Sequence, residues 1–290
     1  MNGLKYIQLK QQNWAKRNSL KRAGGTKPDR GEKNYVNDIA LNIFNQKLSR
    51  ETLQDFKKGD GNETKDSKFR LAKMKALHSS SALPVNVFQY WQEKDVSPIL
   101  SACKLINRRP FNSDTVPNAV RFEQKFEISK DKMLFPKTPN LDVVIEYNNR
   151  VFAIESKFTE PYKKKQKGLS ERYTSDKLFW KGIPNLEKLG NEISPDNNKF
   201  KYLDAAQLIK HILGLKEQCG KTGFTLLYLW YDVIGKDGAA HREEIEQFAE
   251  IANDDIKFRH ITYQEVIVKL SKEFYDGNED YVDYLSERYL

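Results

Sequence analysis

The sequence predicts an α/β protein built on one mixed sheet covered on both faces by helices, and three observations lead there. Residues 139–158, PNLDVVIEYNNRVFAIESKF, read as two apolar strands around a tight Asn148-Asn149 turn, apolar on both faces through their middle. Phe224 to Trp230 is a short, unbroken apolar run entered from the Gly220–Gly223 breaker, as a buried strand would be. Before and after these lie stretches whose apolar residues recur at helical spacing.

Taken in order, residues 1–33 form a basic arm that ends in the breaker Gly24-Gly25-Thr26-Lys27-Pro28 and is expected to be mobile or a short helix. Residues 34–290 form one domain with a helical N-terminal part. Val36, Ile39, Ala40, Ile43, Phe44 and Leu48 predict a helix over 35–56, a second helical stretch starts near Phe69, and a third lies around Val85 to Trp91. From Val120 to Ile128 the residues alternate as a strand, and the hairpin follows. A basic loop covers 163–181. A helix over 202–215 then leads to the strand at 224–230, and a helix at 243–252, a strand near 257–261 and a helix at 263–274 close the chain.

With 39% hydrophobic and 12% aromatic residues the chain holds enough apolar side chains for a sizeable core. Its longest strongly apolar run is far too short to cross a bilayer, and its start has no signal-peptide pattern, so a cytoplasmic protein with no membrane partner is expected. Cys103 and Cys219 are far apart and the four histidines are scattered, which argues against a disulfide framework or a zinc module. Any catalytic metal is then a hard cation held by oxygen, Mg²⁺ or Mn²⁺. The net charge of +9 is concentrated at the start, where residues 1–33 carry nine Lys or Arg against Asp29 and Glu32. Such an arm suits a polyphosphate, and it equally suits a solubilising tail.

The chemistry gathers at the open end of the hairpin. A two-residue turn puts Asp142 directly opposite Glu155, and Lys157, two residues on, shares their face, while Val143 and Ile145 share the other face with Phe152 and Ile154. Facing carboxylates repel unless a cation bridges them. Two such acids fix a divalent ion that polarises a phosphoryl oxygen and acidifies a bound water, and the ammonium orients that water or stabilises the transition state: metal-assisted phosphodiester hydrolysis. The bland alternative is a surface Glu-Lys pair at a hairpin end. Acid-x-Lys alone decides nothing, since it recurs at Asp55, Glu63, Asp66, Glu123 and Asp255. Only Glu155 ends an apolar strand paired with another that opens on an acid.

These residues resemble the PD-(D/E)XK phosphodiesterase, or restriction-endonuclease-like, superfamily. Leu141-Asp142 departs from its Pro-Asp pair, Glu155-Ser156-Lys157 fits its second half, and the element order is similar to its three-layer αβββαβ core, here with extra N-terminal and C-terminal helices. Ser79 to Phe88, Phe122 to Lys125, Glu155 to Glu160 and Gln207 to His211 are similar to a bacterial branch of predicted nucleases, over roughly residues 75–270. The resemblance implies that Asp142 and Glu155 hold the metal and Lys157 assists the water. Glu123 is a further candidate ligand or catalytic acid, though an exposed strand charge explains it equally. Gln207 and His211 resemble the Gln-x-x-x-Tyr element of RecB-like nucleases with His in place of Tyr, and a polar helix stripe explains them as well. Asn86 is either a site residue or a satisfied buried amide, the latter preferred. Lys163, Lys164, Lys165, Lys167 and Arg172 would grip the nucleic-acid backbone without reading sequence.

The expected function is thus a Mg²⁺-dependent (or Mn²⁺-dependent) endodeoxyribonuclease of restriction or defence, with DNA as its partner and a homodimer as the natural state for cutting two strands. The alternatives are a repair or recombination nuclease that recognises DNA structure, and a catalytically inactive nucleic-acid-binding module.

Overall fold

In a computed structural model, residues 1–24, 34–59, 63–67, 70–107, 119–130, 135, 138–163, 165–175 and 177–290 are described. The chain begins with helix α1 (Gly3–Arg17), a two-residue strand pair β1 (Arg22–Ala23) and β2 (Tyr35–Val36), and helices α2 (Arg50–Lys58), α3 (Ala82–Phe88) and α4 (Ser97–Ala102). Strands β3 (Ala119–Lys125), β4 (Asn140–Tyr147) and β5 (Arg150–Lys157) follow, then helices α5 (Pro184–Glu192) and α6 (Ala205–Cys219). Strand β6 (Phe224–Trp230), helix α7 (Lys236–Asn253), strand β7 (Phe258–Thr262) and helices α8 (Tyr263–Glu273) and α9 (Glu279–Tyr289) complete it.

The sheet order is β3-β4-β5-β6-β7. Its first three strands are antiparallel and its last three parallel, so the sheet is mixed. The β4–β5 hairpin has the register read from the sequence: Tyr147 pairs with Arg150 and Val143 with Ile154. Asn148 and Asn149, with φ of 49° and 58°, give the turn the left-handed pair that a two-residue hairpin needs and that asparagine tolerates. Val143, Ile145, Phe152 and Ile154 point into one core with residues of α3, α4, α8 and α9. Val144 and Ala153 point into the other, with residues of α5, α6 and α7. Three layers result. Each large side chain sealed in these cores, such as Phe122 or Phe152, contributes about 1.5–3 kcal/mol of apolar burial.

Helix α6 is seated by a close backbone approach. A Cβ on Gly214 would lie 2.0 Å from the carbonyl oxygen of Phe126, just past β3, so only glycine lets the helix come this near. Gly214→Ala is expected to cost about 1–3 kcal/mol by overpacking and to lower Tm by several degrees in a thermal-shift assay. An unchanged Tm would show that α6 is not held against that carbonyl.

Two sequence expectations are corrected, and of the alternatives left open for the N-terminal arm the helix is the one observed. The helix expected over 35–56 is broken: Asn45 and Gln46 take positive φ, Asn42 bonds the carbonyls of Met74 and Ala76, and the helix restarts only at Ser49, whose side chain caps Thr52 N–H. The stretch from Phe69, itself outside the described residues, yields a single 3₁₀ turn over Lys73–Lys75, because Asp66 and the Glu63 carbonyl take the N–H groups of Ala72 and Met74. Residues 3–17 are not a tail. Ile7, Trp14 and Ala15 of α1 are buried, Lys10 donates to the Leu290 carbonyl and Arg17 to that of Glu287. These cations meet the negative end of the α9 dipole. The remainder of the arm, 25–33, lies outside the described residues.

Candidate active site

The site forms where the β4–β5 ladder ends. Beyond the Val143–Ile154 pair the strands part, and Asp142 Oδ2 accepts the Ser156 N–H at 2.7 Å. Strand β5 continues in parallel register with β6 as far as Lys157 opposite Trp230, so Glu155 and Lys157 stay locked in the sheet. The α6 helix crosses their face. Asp204 caps it by accepting the Gln207 N–H at 2.9 Å, and Gln207 and His211 project one turn apart.

Lys157 Nζ donates to Glu155 Oε1 and, at 2.9 Å, to Gln207 Oε1. His211 Nε2 lies 3.0 Å from Glu155 Oε2. The two atoms meet in a buried contact of ion-pair range, and neither has any other hydrogen-bond partner. Glu155, Lys157 and His211 are all buried. The surface-pair alternative therefore fails.

Glu123 on β3 sits beside the pair rather than within it. Its φ of 52° breaks the strand locally, and its Oε2 accepts from Asn140 Nδ2 at 2.6 Å. Among the described residues no three His, Cys, Asp or Glu side chains are gathered as a metal cage, so Glu123 does not complete a trio with Asp142 and Glu155. Asn86 is the satisfied amide: it donates to the Asn42 carbonyl and Tyr289 hydroxyl and accepts the Phe44 N–H.

Of the cationic candidates, Lys163 lines a cleft of about 330 Å³ together with Lys157, Gln207, Glu160, Pro161 and Tyr202. Lys165 and Lys167 line the adjoining groove, Arg172 lies beside Ser170 on its edge, and Lys164 falls outside the described residues. Sequence reasoning gave no role to Glu160, whose Oε2 accepts the N–H groups of Phe158 and Thr159 and so fixes the turn after Lys157. It also gave none to Lys201, which joins Lys163 and Lys165 in a neighbouring pocket. Glu160 stood within the quoted Glu155–Glu160 stretch; for Lys201 no sequence signal existed.

Burial, then the Glu155 charge, pushes the Asp142 carboxyl well above the usual carboxylate range. Burial pushes Glu123 up to about 7, with Glu63 and Glu155 adding to it. Glu155 goes the other way: burial opposes its charge, but Lys157 and His211 outweigh burial and hold it at about 2. The raised groups stabilise the fold fully below their ordinary values and lose that contribution as pH rises through the folded ones. Metal-free protein is expected to lose a few degrees of Tm between pH 5 and pH 8, and Asp142→Asn to flatten the decline. A wild-type Tm that rises over this window would contradict the assigned environments.

Two features fit a divalent cation. Glu155 Oε2 is buried and meets only the His211 ring nitrogen, and the second oxygen of Asp142 has no donor among the described residues. Hard carboxylate oxygens at the ends of two central strands suit Mg²⁺ or Mn²⁺.

A family model described as Restriction Endonuclease associating with ARP matches residues 8–290. No curated protein and no solved structure matches the chain. The chain belongs to that family, and its mixed five-stranded sheet between helical layers is a restriction-endonuclease-like core. No helix among the described residues is long and apolar enough to cross a membrane.

Proposed function

We propose that this member of a restriction-endonuclease family hydrolyses DNA phosphodiester bonds with a divalent cation, as an endodeoxyribonuclease of restriction or defence. One observation carries the reading: Asp142 and the buried Glu155–Lys157 pair come together where β4 and β5 part, with one oxygen of Asp142 left without a donor among the described residues. Asp142 and Glu155 would hold the ion, which when bound supplies Lewis acidity and acidifies water. Lys157 is fixed by Glu155 and Gln207, and from there its ammonium positions the attacking water and balances charge on the phosphoryl oxygens. Burial and the flanking carboxylates have opposite effects on Lys157, and the carboxylates win, so its pKa is raised and it serves as a cation rather than as a base.

Lysines 163, 165, 167 and 201 would take the flanking phosphates. Incubation of plasmid and linear DNA with Mg²⁺ or Mn²⁺ and with chelator tests the activity, and sequencing the ends separates discrete from ragged cutting. Cleavage that persists in chelator, or none with either ion, would refute it. Replacing Lys163, Lys165 and Lys167 by Glu is expected to weaken DNA binding by at least about tenfold and to reduce the slope of log affinity against log salt by about 2–3, one unit per lost phosphate contact. An unchanged slope would place the DNA elsewhere.

A further inference from the structure

The groove beside the cleft, about 600 Å³ in volume, is lined by Lys165 and Lys167 and by Asp196, Asn197 and Asn198 of the loop that follows α5. It is continuous with the cleft, since Gln166 lines both. Backbone contacts hold the loop in place. The Leu169 N–H donates to the Ile193 carbonyl at 3.0 Å, and a Cβ on Gly168 would lie 1.9 Å from the Pro195 carbonyl oxygen, so only glycine lets the two segments come this near. Asn197 is 2% exposed, and its Oδ1 accepts the Lys199 and Phe200 N–H groups at 3.1 and 2.9 Å. These bonds fix the amide and leave its Nδ2 buried with no acceptor. Such a donor is unfavourable, and native interiors avoid one unless something else binds there. The neighbouring Asp196 carboxylate is exposed and has no ion-pair partner among the described residues, although two lysines line the same groove.

We infer that the loop at 196–198 reads a base edge of the bound DNA, with Asn197 Nδ2 donating to a ring nitrogen or carbonyl oxygen of the base and Asp196 accepting from an exocyclic amino group. Phosphate does not match this set, because it offers acceptors only and a carboxylate repels it. A base edge presents donors and acceptors side by side, and amide and carboxylate side chains are among those that pair with adenine and cytosine in the major groove. Lys165 and Lys167 then hold the adjoining phosphates, which set the register of the DNA without carrying sequence information. A donor already fixed by its own loop loses little freedom on binding, so the pinned geometry favours discrimination. The inference rests on the DNA substrate proposed above, though not on its cleavage, and adds a base preference carried by named residues.

The test is selection of bound duplexes from a randomised DNA pool in chelator, which separates binding from cleavage, followed by sequencing. Wild-type protein should enrich one base over the others at one or two positions by at least about fivefold. Asp196→Asn, an exposed change that leaves the Asn197 bonds alone, should relax or alter that preference. Asn197→Asp, which keeps the oxygen that accepts both N–H groups and removes the donor, should do the same. In both variants the slope of log affinity against log salt should stay as in wild type, whereas Lys167→Gln should lower the slope by about 1 and keep the preference. Thermal melting checks the fold of Asn197→Asp, and if that variant is unfolded Asp196→Asn decides alone. A preference unchanged in the folded variants, or wild-type protein that binds DNA with no base preference, would overturn the inference and leave the nuclease reading standing. Base-selective binding by a protein that cuts no DNA with either ion would uphold the inference and refute the nuclease reading. Absence of DNA binding in wild-type protein would overturn both.

Discussion

Glu155→Gln is expected to lose metal-dependent DNA cleavage by about 10²–10³-fold or more while the protein stays folded. The amide keeps an oxygen for the Lys157 ammonium, so the contact that fixes Lys157 beside Gln207 survives in neutral form. What disappears is the charge that binds the cation. Glu155→Ala is a poorer experiment, because it leaves a buried ammonium beside a cavity, and breaking a buried pair in this way costs about 3–5 kcal/mol. Loss of activity in the alanine variant would then mix chemistry with unfolding. The glutamine variant separates them if cleavage of labelled DNA and thermal melting are measured on the same preparation. Mg²⁺ or Mn²⁺ should raise the Tm of wild-type protein, since a ligand that binds only the folded state stabilises it, and this rise should vanish in Glu155→Gln. Full cleavage by Glu155→Gln would remove the carboxylate from the chemistry and with it the proposed site.

The parts of this site that were readable in the sequence are those set by local periodicity. A strand repeats every two residues and a two-residue turn fixes register, so the hairpin pairing down to Val143 and Ile154 follows from spacing alone, whereas the pair that spacing sets next, Asp142 and Glu155, falls where the strands part and Asp142 accepts the Ser156 N–H. The strand β6 was readable on another local signal, a short unbroken apolar run after a glycine breaker. Helix α6 was placed within a few residues, yet nothing local says which sheet face it covers, so the contacts of Gln207 with Lys157 and of His211 with Glu155 emerge only with the tertiary fold. Glu123 shows the limit from the other side: an alternating strand predicts its face, but a positive φ at that residue breaks the alternation and no sequence rule announces it. Helix α9 was missed for a legible reason. Helix α9, EDYVDYLSERY, is dominated by acids and tyrosines, and its buried side consists of Tyr281, Val282, Leu285, Arg288 and Tyr289, of which only two are aliphatic. A stripe built from aromatic rings and one arginine carries little of the apolar signal on which helical periodicity depends.

That arginine supports the second large expectation: Arg288→Ala should destabilise the protein by about 3–5 kcal/mol. Arg288 is 1% exposed and has no acid partner among the described residues; its guanidinium is satisfied instead by neutral oxygens drawn from the whole N-terminal region. Nε donates to Gln11 of α1 at 3.0 Å, Nη1 to the Asn42 carbonyl at 2.9 Å and to the Tyr284 hydroxyl, and Nη2 to Asn42 Oδ1 and to the Leu77 carbonyl at 3.2 Å. Its flat face lies 4.1 Å from the centre of the Trp14 ring. Truncation would leave several buried acceptors unsatisfied at once and open a cavity between α1 and α9. At about 2–4 °C per kcal/mol for a chain approaching this length, Tm should fall by roughly 10 °C. Arg288→Met separates the causes: it refills the volume but supplies no donors, so a Tm near that of Arg288→Ala assigns the loss to the polar network, whereas near-complete recovery would assign it to packing and refute the argument. The consequence reaches the candidate site, because the layer that Arg288 ties together includes α3, whose Asn86 bonds both Asn42 and the hydroxyl of Tyr289, and Tyr289 packs edge-on against Phe158, the residue after Lys157. Loss of the tie at the chain ends is therefore expected to lower the temperature at which cleavage fails, in step with Tm, with little change in rate at low temperature.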